Sequence, residues 1–125
     1  MTTVLVVDDE PLIAMVLKEA LEDEHYRVLT AANGKQGLER LIEEQADIVL
    51  LDMMMPIMSG AAMLRGMAAH PSLRDIPAII LSSLLEATIR AKTGSVAAVV
   101  QKPYTVEQVV SAITRVLGKA NEAEG

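Results

Sequence analysis

Five polar side chains stand just past the ends of short hydrophobic runs, and their types suit the handling of phosphate. Val4–Val7 runs into Asp8 and Asp9, Ile48–Leu51 into Asp52, and Ala78–Leu81 into Ser82. A further run, Val96–Val100, passes through Gln101 into Lys102 and Pro103. In an open α/β sheet the ligand crevice lies outside the carboxyl ends of the strands. Three carboxylates, a hydroxyl and an ammonium are therefore predicted to converge on one pocket.

Such a pocket has an electrostatic problem to solve. Two carboxylates ~5 Å apart repel by about 3 kcal/mol at an effective dielectric of about 20. Three such pairs need either raised pKa values or a bound cation. Oxygen donors with no His or Cys beside them favour a hard ion: Mg²⁺ that keeps several waters fits best, with Mn²⁺ as the alternative. Lys102 supplies a second positive charge. The plainer readings are an N-cap at Asp8-Asp9 before a helix starting at Pro11, and a turn aspartate at Asp52. Either residue set alone would suit them; the shared strand-end position favours the pocket.

The elements that must position these groups alternate along the chain. After Pro11, Ile13, Val16, Leu17, Ala20 and Leu21 fall on one helical face. Tyr26, Val28 and Thr30 alternate with Arg27 and Leu29, predicting a weaker strand at an edge. Asn33-Gly34 reads as a turn, and Leu38, Leu41 and Ile42 as the stripe of a second helix. The loop MMMPIMSG precedes a helix from about Ala61 to Ala69, and Pro71 and Pro77 bracket the next linker. The clearest stripe is Val106, Val109, Val110, Ile113, Val116 and Leu117, with Thr105 placed to cap that helix and Gly118 to end it. Strands alternating with helices predict (βα)₅ with parallel strands and right-handed crossovers.

The totals agree. The 125 residues suffice for one domain, and with only two aromatic residues the core must be aliphatic and Met-rich. The absence of cysteine excludes disulfides and thiolate metal sites. A net charge of −6 argues against direct nucleic-acid binding. The N-terminus lacks the basic and apolar segments of a signal peptide, and the greasiest stretch, Ala46–Leu64, is interrupted by Asp47, Asp52 and Pro56. No membrane association and a cytoplasmic location are expected.

VLVVDDEP, LLDMMMPIMSG, IPAIILSS and VVQKPYT, in that order and spacing, resemble the receiver domain of two-component response regulators across essentially the whole chain. The resemblance implies a doubly wound, flavodoxin-like three-layer sandwich with strand order 2-1-3-4-5. Residues 1–119 would form the receiver domain and residues 120–125 a polar tail. Asp52 would be the phosphoacceptor, taking a phosphoryl group from a histidine kinase or a histidine phosphotransfer protein. Asp9 and Asp52 would bind the metal directly, Asp8 mostly through water, and the Met54 backbone carbonyl would complete the ligands. Lys102 would pair with Asp52 and Ser82 would be the switch hydroxyl, while Lys102-Pro103 resembles the family's cis peptide. Such a domain catalyses only its own phosphorylation and dephosphorylation, and is not an enzyme toward other substrates.

Some positions depart from the family pattern. Val99 stands in the fifth strand where an inward-swinging Tyr or Phe is common, so signalling must rely on Ser82, the loop after it and the backbone. Ser83 to Gly94 is about one helical turn short, on a face often used for output or dimerisation. Met54 and Leu84, each two residues past a pocket residue, are expected to cover the phosphoryl group and hinder hydrolytic water. Six of the eight methionines lie between positions 53 and 67 and are expected mainly to fill core gaps. His25 and His70 are expected to be surface residues.

A stand-alone regulator acting on a downstream protein is expected, with a piece of a larger regulator or a homodimer left open. A silent receiver used only for docking or dimerisation is the alternative, but it predicts damage at Asp8, Asp9, Asp52 or Lys102, and all are intact. A haloacid-dehalogenase-type hydrolase would need Asp-x-Asp after the first strand, and a flavodoxin-like carrier would need a Ser/Thr-rich phosphate loop.

Overall fold

Short runs rich in aliphatic and β-branched residues form the strands β1 (Thr3–Val7), β2 (Arg27–Ala31), β3 (Ile48–Asp52), β4 (Ala78–Ser82) and β5 (Ala98–Gln101). The intervening helices are α1 (Pro11–Asp23), α2 (Gly34–Glu43), α3 (Gly60–Ala69), α4 (Glu86–Thr93) and α5 (Val106–Glu124). This computed structural model describes residues 1–94 and 96–124, with side chains as far as Gly118. All neighbouring strands are parallel, in the order β2-β1-β3-β4-β5. The expected doubly wound flavodoxin-like sandwich is therefore the fold.

Each of β1, β3 and β4 is buried along its full length, because helices cover both faces of the sheet. Successive side chains point to opposite faces. Val4, Val6, Ile48 and Leu50 pack with Leu17 and Leu21 of α1 and Ile113 of α5. Leu5, Val7, Val49 and Leu51 pack with Leu41 of α2, Met63 of α3 and Ile89 of α4. Each fully buried aliphatic side chain contributes about 1.5–3 kcal/mol relative to exposure.

Helix entries are built by local polar bonds. The Asn33 carboxamide accepts from Gln36 N–H at 3.0 Å, and the Ser59 hydroxyl from Ala62 N–H at 3.2 Å. Thr105 Oγ1 accepts from Gln108 N–H at 3.2 Å while Gln108 Oε1 accepts from Thr105 N–H at 2.8 Å, a reciprocal capping box. α1 instead starts on Pro11 with no side-chain cap, so neither Asp8 nor Asp9 caps it.

Five expectations need correction. The α1 stripe is rotated: Ala14, Leu17 and Leu21 are buried, and Val16 is 54% exposed. The small Ala14 side chain turns inward beneath the helix, so Val16, about 200° further round, faces out. On α2, Gly34 and Gly37 are buried beside Leu41 and leave Ile42 outside. β2 does not alternate; Val28 and Leu29 are both buried, because even this edge strand is covered on both faces. The fifth strand starts at Ala98 rather than Val96, and Ser95 lies outside the described residues.

α5 does not stop at Gly118 but continues to Glu124, so the expected boundary after residue 119 falls inside a helix; Gly125 lies outside the described residues. One interior Gly costs about 1 kcal/mol, and the following Lys, Ala and Glu residues favour helix. No described helix is long and apolar enough to cross a membrane.

Candidate functional site

Parallel register brings the strand-end residues to one edge. Val7 pairs with Leu51, so Asp8 and Asp52 follow on adjacent strands, and Asp52 itself pairs with Leu81, next to Ser82. Ser82 pairs in turn with Gln101, next to Lys102, and its carbonyl accepts from Lys102 N–H at 2.8 Å. Asp8, Asp9 and Asp52 each offer a carboxylate oxygen within 4.8 Å of the others, the one such cluster among the described residues.

Asp52 is 4% exposed and anchored at both oxygens. Oδ1 accepts from the Met54 N–H at 3.3 Å, and Oδ2 faces the Lys102 ammonium at 3.4 Å. The Lys102-Pro103 peptide is cis. Close approach of α3 completes the pocket floor: Gly60 N–H donates to the Met53 carbonyl at 3.1 Å. A Cβ on Gly60 would stand 2.6 Å from the Asp52 carbonyl oxygen, so only glycine fits there.

Asp8 is 2% exposed and half-satisfied. Its Oδ1 accepts from Glu10 N–H at 2.9 Å, while its Oδ2 is buried with no partner. Burial pushes the Asp8 carboxyl above its ordinary value of 3.8; the Glu10 N–H pulls it down, and the Asp52 charge adds to the rise. A buried, orphaned carboxylate oxygen is costly unless something positive reaches it. The donor set therefore fits a hard divalent cation: all-oxygen, three carboxylates, and one lone oxygen turned away from every N–H. Asp9, at the more open side, completes the set.

Around this centre the remaining predicted residues take distinct places. Ser82 is buried, and its Oγ accepts from the Leu84 N–H at 3.0 Å. Met54 is 73% exposed, whereas Leu84 is half-buried against the α2–α4 face of the core. Met53, Met63 and Met67 are buried gap-fillers, so Met54 is the exception among the clustered methionines. His25 and His70 lie on the surface, His70 Nδ1 sharing a hydrogen bond with the Ser72 hydroxyl at 2.9 Å.

Three residues escaped the strand-end pattern. Burial raises the Tyr104 phenol pKa, and the charges of Asp8 and Asp52 raise it further. Ile57, in the loop beside Asp52, holds φ at 68°, a strained backbone for a β-branched residue. Gln101 Nε2 donates to the Leu84 carbonyl at 2.9 Å. Its signal in the sequence was its place between the fifth hydrophobic run and Lys102.

A parallel doubly wound sheet with a carboxylate cluster and a lysine at its carboxyl edge places the chain in the flavodoxin-like class. The sequence profile of the response regulator receiver domain matches residues 4–114, and the chain belongs to that family, the receivers of two-component signalling. It is 30% identical over 118 residues to the probable chemotaxis protein CheY of Rhizobium etli, covering 92% of each chain. It is 34% identical over 110 residues to the probable transcriptional regulatory protein TcrX of Mycobacterium tuberculosis, covering 86% of this chain. Several curated relatives are longer, and the chain spans less than half their length, 46% of TcrX. Among solved structures, the chemotaxis response regulator CheY4 of Vibrio cholerae superposes with a TM-score of 0.86 at 25% identity, over 93% of this chain and 98% of that one. Phosphorelay and Mg²⁺ binding are typical of the family.

Proposed function

We propose that this chain is a phosphoaspartate switch: Asp52 accepts a phosphoryl group and the change alters contacts with a downstream protein. The carrying observation is the pairing of a buried, doubly anchored Asp52 with Lys102 at 3.4 Å, beside the orphaned Oδ2 of Asp8. In the transfer, an Asp52 carboxylate oxygen forms a bond to phosphorus as the phosphorus–nitrogen bond of a donor phosphohistidine breaks, and the imidazole nitrogen leaves with its electron pair. Hydrolysis reverses the charge change: water attacks phosphorus, the acyl phosphate bond breaks, and Asp52 returns as a carboxylate.

The chain's own groups do the positioning that such chemistry mainly requires. Met54 N–H and Lys102 hold the Asp52 carboxylate in place. Lys102, a mobile point charge, turns from the carboxylate to a phosphoryl oxygen. Ser82 donates its hydroxyl proton to another phosphoryl oxygen. Asp9 and Asp52, the Met54 carbonyl and, through water, Asp8 would hold Mg²⁺ or Mn²⁺, which supplies neutralisation of phosphoryl charge when bound. Met54 and Leu84 cover the acceptor and slow the entry of hydrolytic water.

The test is incubation with a small acyl phosphate and Mg²⁺ followed by intact-mass measurement. One added phosphoryl group that Asp52→Asn abolishes is the expected result. No mass gain in the wild type overturns the reading in favour of a silent docking receiver, and a gain that survives Asp52→Asn overturns it by placing the phosphoryl group on another residue.

A further inference from the structure

We propose that Gln101 is a positioning residue for the Ser82 hydroxyl and carries the state of the site to the fifth strand, in place of an aromatic side chain that this chain lacks at Val99. The inference rests on the reading of Ser82 as the group that meets the phosphoryl oxygen. Two hydrogen bonds converge on the backbone of Leu84, one on each of the peptide groups that flank its Cα. Its N–H donates to Ser82 Oγ at 3.0 Å, and its carbonyl accepts from Gln101 Nε2 at 2.9 Å. The carbonyl partner fixes which end of the Gln101 amide points inward, since only the NH₂ can donate.

The geometry makes this a closed clamp. Ser82 and Gln101 are register partners on β4 and β5, and the Ser82 carbonyl also accepts from Lys102 N–H at 2.8 Å. Residues 82–84 are thus tied to β5 at two points, once by backbone and once by the Gln101 side chain. A hydroxyl has one proton and two acceptor lone pairs. With Leu84 N–H occupying one lone pair, the rotor of Ser82 is held and its proton is left for another acceptor. If a phosphoryl group draws the Ser82 oxygen toward it, the Leu84 N–H follows, and the motion reaches the Leu84 carbonyl and its Gln101 bond through the Leu84 Cα.

Gln101 also stands where such movement is visible from outside. It lines an open groove of about 590 Å³ with Glu86 of α4, Val99 of β5, and Gln108 and Arg115 of α5. Val99 is short and offers no ring to swing inward. The hydrogen-bonded path Ser82–Leu84–Gln101 connects the switch hydroxyl to that face.

The experiment compares the full chain with Gln101→Met, which keeps length but loses the donor, and Gln101→Arg, which restores one. Gln101 is exposed, so neither change disturbs the core. Amide hydrogen exchange and nitrogen–proton correlation spectra are recorded with Mg²⁺, with and without beryllofluoride as the phosphoryl mimic. Gln101→Met should speed exchange at Leu84 by about tenfold, the equivalent of one lost hydrogen bond, with Ile80 unchanged. Beryllofluoride should still shift Asp52, Met53 and Ser82 in Gln101→Met, while shifts at Glu86–Ile89 and Val99–Gln101 fall to less than about half of wild type, on the same hydrogen-bond scale. Gln101→Arg should recover both.

Unchanged Leu84 exchange and unchanged distant shifts in Gln101→Met overturn the clamp and leave the phosphoaspartate reading standing. So does a loss that Gln101→Arg fails to rescue, which would mark a general disturbance. Absence of any beryllofluoride shift at Asp52 in the wild type, or shifts indifferent to Asp52→Asn, overturns the phosphoaspartate reading and this inference with it.

Discussion

Asp8 concentrates the residue-scale physics of the site. Its folded pKa lies above 3.8, chiefly through burial, so the folded protein holds a proton over a range where the unfolded chain has released it. In the metal-free protein the stability this group contributes is fully present below about 3.8 and is lost as pH rises through the folded value. Cation binding has the opposite sense and weakens as acid protonates Asp8. Metal-free thermal melts should therefore show a higher midpoint for Asp8→Asn than for wild type near neutral pH, with the gap closing on acidification. Mg²⁺ should raise the wild-type midpoint by more than that of Asp8→Asn. A wild type that gains stability as pH rises through this window, relative to Asp8→Asn, would contradict the assignment.

Met54 and Leu84 carry a kinetic prediction at the same scale. Met54→Asn and Leu84→Glu should each shorten the lifetime of the phosphoform by several-fold, read by the decay of the phosphorylated mass after donor removal. Equal decay in wild type and both variants would remove the idea of an apolar cover. Ile57 carries a stability prediction. Its side chain is 81% exposed and its backbone is in the left-handed region, so Ile57→Gly exchanges strain for freedom. The folded protein should gain about 1 kcal/mol in urea unfolding.

Among the elements, α3 is the one whose placement the acceptor strand depends on. Gly60 brings the helix start against the backbone of Met53 and Asp52, where a methyl group would meet unyielding carbonyl and Cα atoms at 2.6 and 3.0 Å. Gly60→Ala should cost about 1–3 kcal/mol in denaturant unfolding, and phosphoryl uptake should fall with it as Asp52 shifts. Thr105→Ala, which opens the capping box of α5 and leaves the packing of α3 against Asp52 intact, should cost about 1 kcal/mol without comparable loss of uptake. Comparable loss in both would mean that uptake follows global stability and not the local fit of α3.

The whole molecule shows which features are legible in one sequence. Strands were legible because β-branched runs ended in Asp, Ser or Lys, and parallel pairing obliges such ends to share one edge of the sheet. Asp8, Asp9, Asp52, Ser82 and Lys102 followed from that alternation alone. Which stripe each helix buries was less legible. A helix seated on a sheet buries a narrow band, so Ala14, Gly34 and Gly37 take inner positions that hydropathy assigned to Val16 and Ile42. The two-sided burial of β2 erased the alternation expected of an edge. Gln101 to Leu84 was beyond reach, because the rotamer of an exposed amide leaves no trace in periodicity. Cation binding also acts on the molecule as a whole: a Mg²⁺ concentration 100 times its dissociation constant should stabilise folding by about 2.7 kcal/mol, reversed by a chelator.

The most direct test of the central claim locates the phosphoryl group and its dependence on metal in one sample. Protein treated with acetyl phosphate is reduced with borohydride, which converts an acyl phosphate to an alcohol, and the modified residue is mapped by tandem mass spectrometry. The alcohol should appear at residue 52 alone when Mg²⁺ is present and be nearly lost with excess chelator. Modification at another carboxylate, or undiminished modification at Asp52 in chelator, would contradict the account.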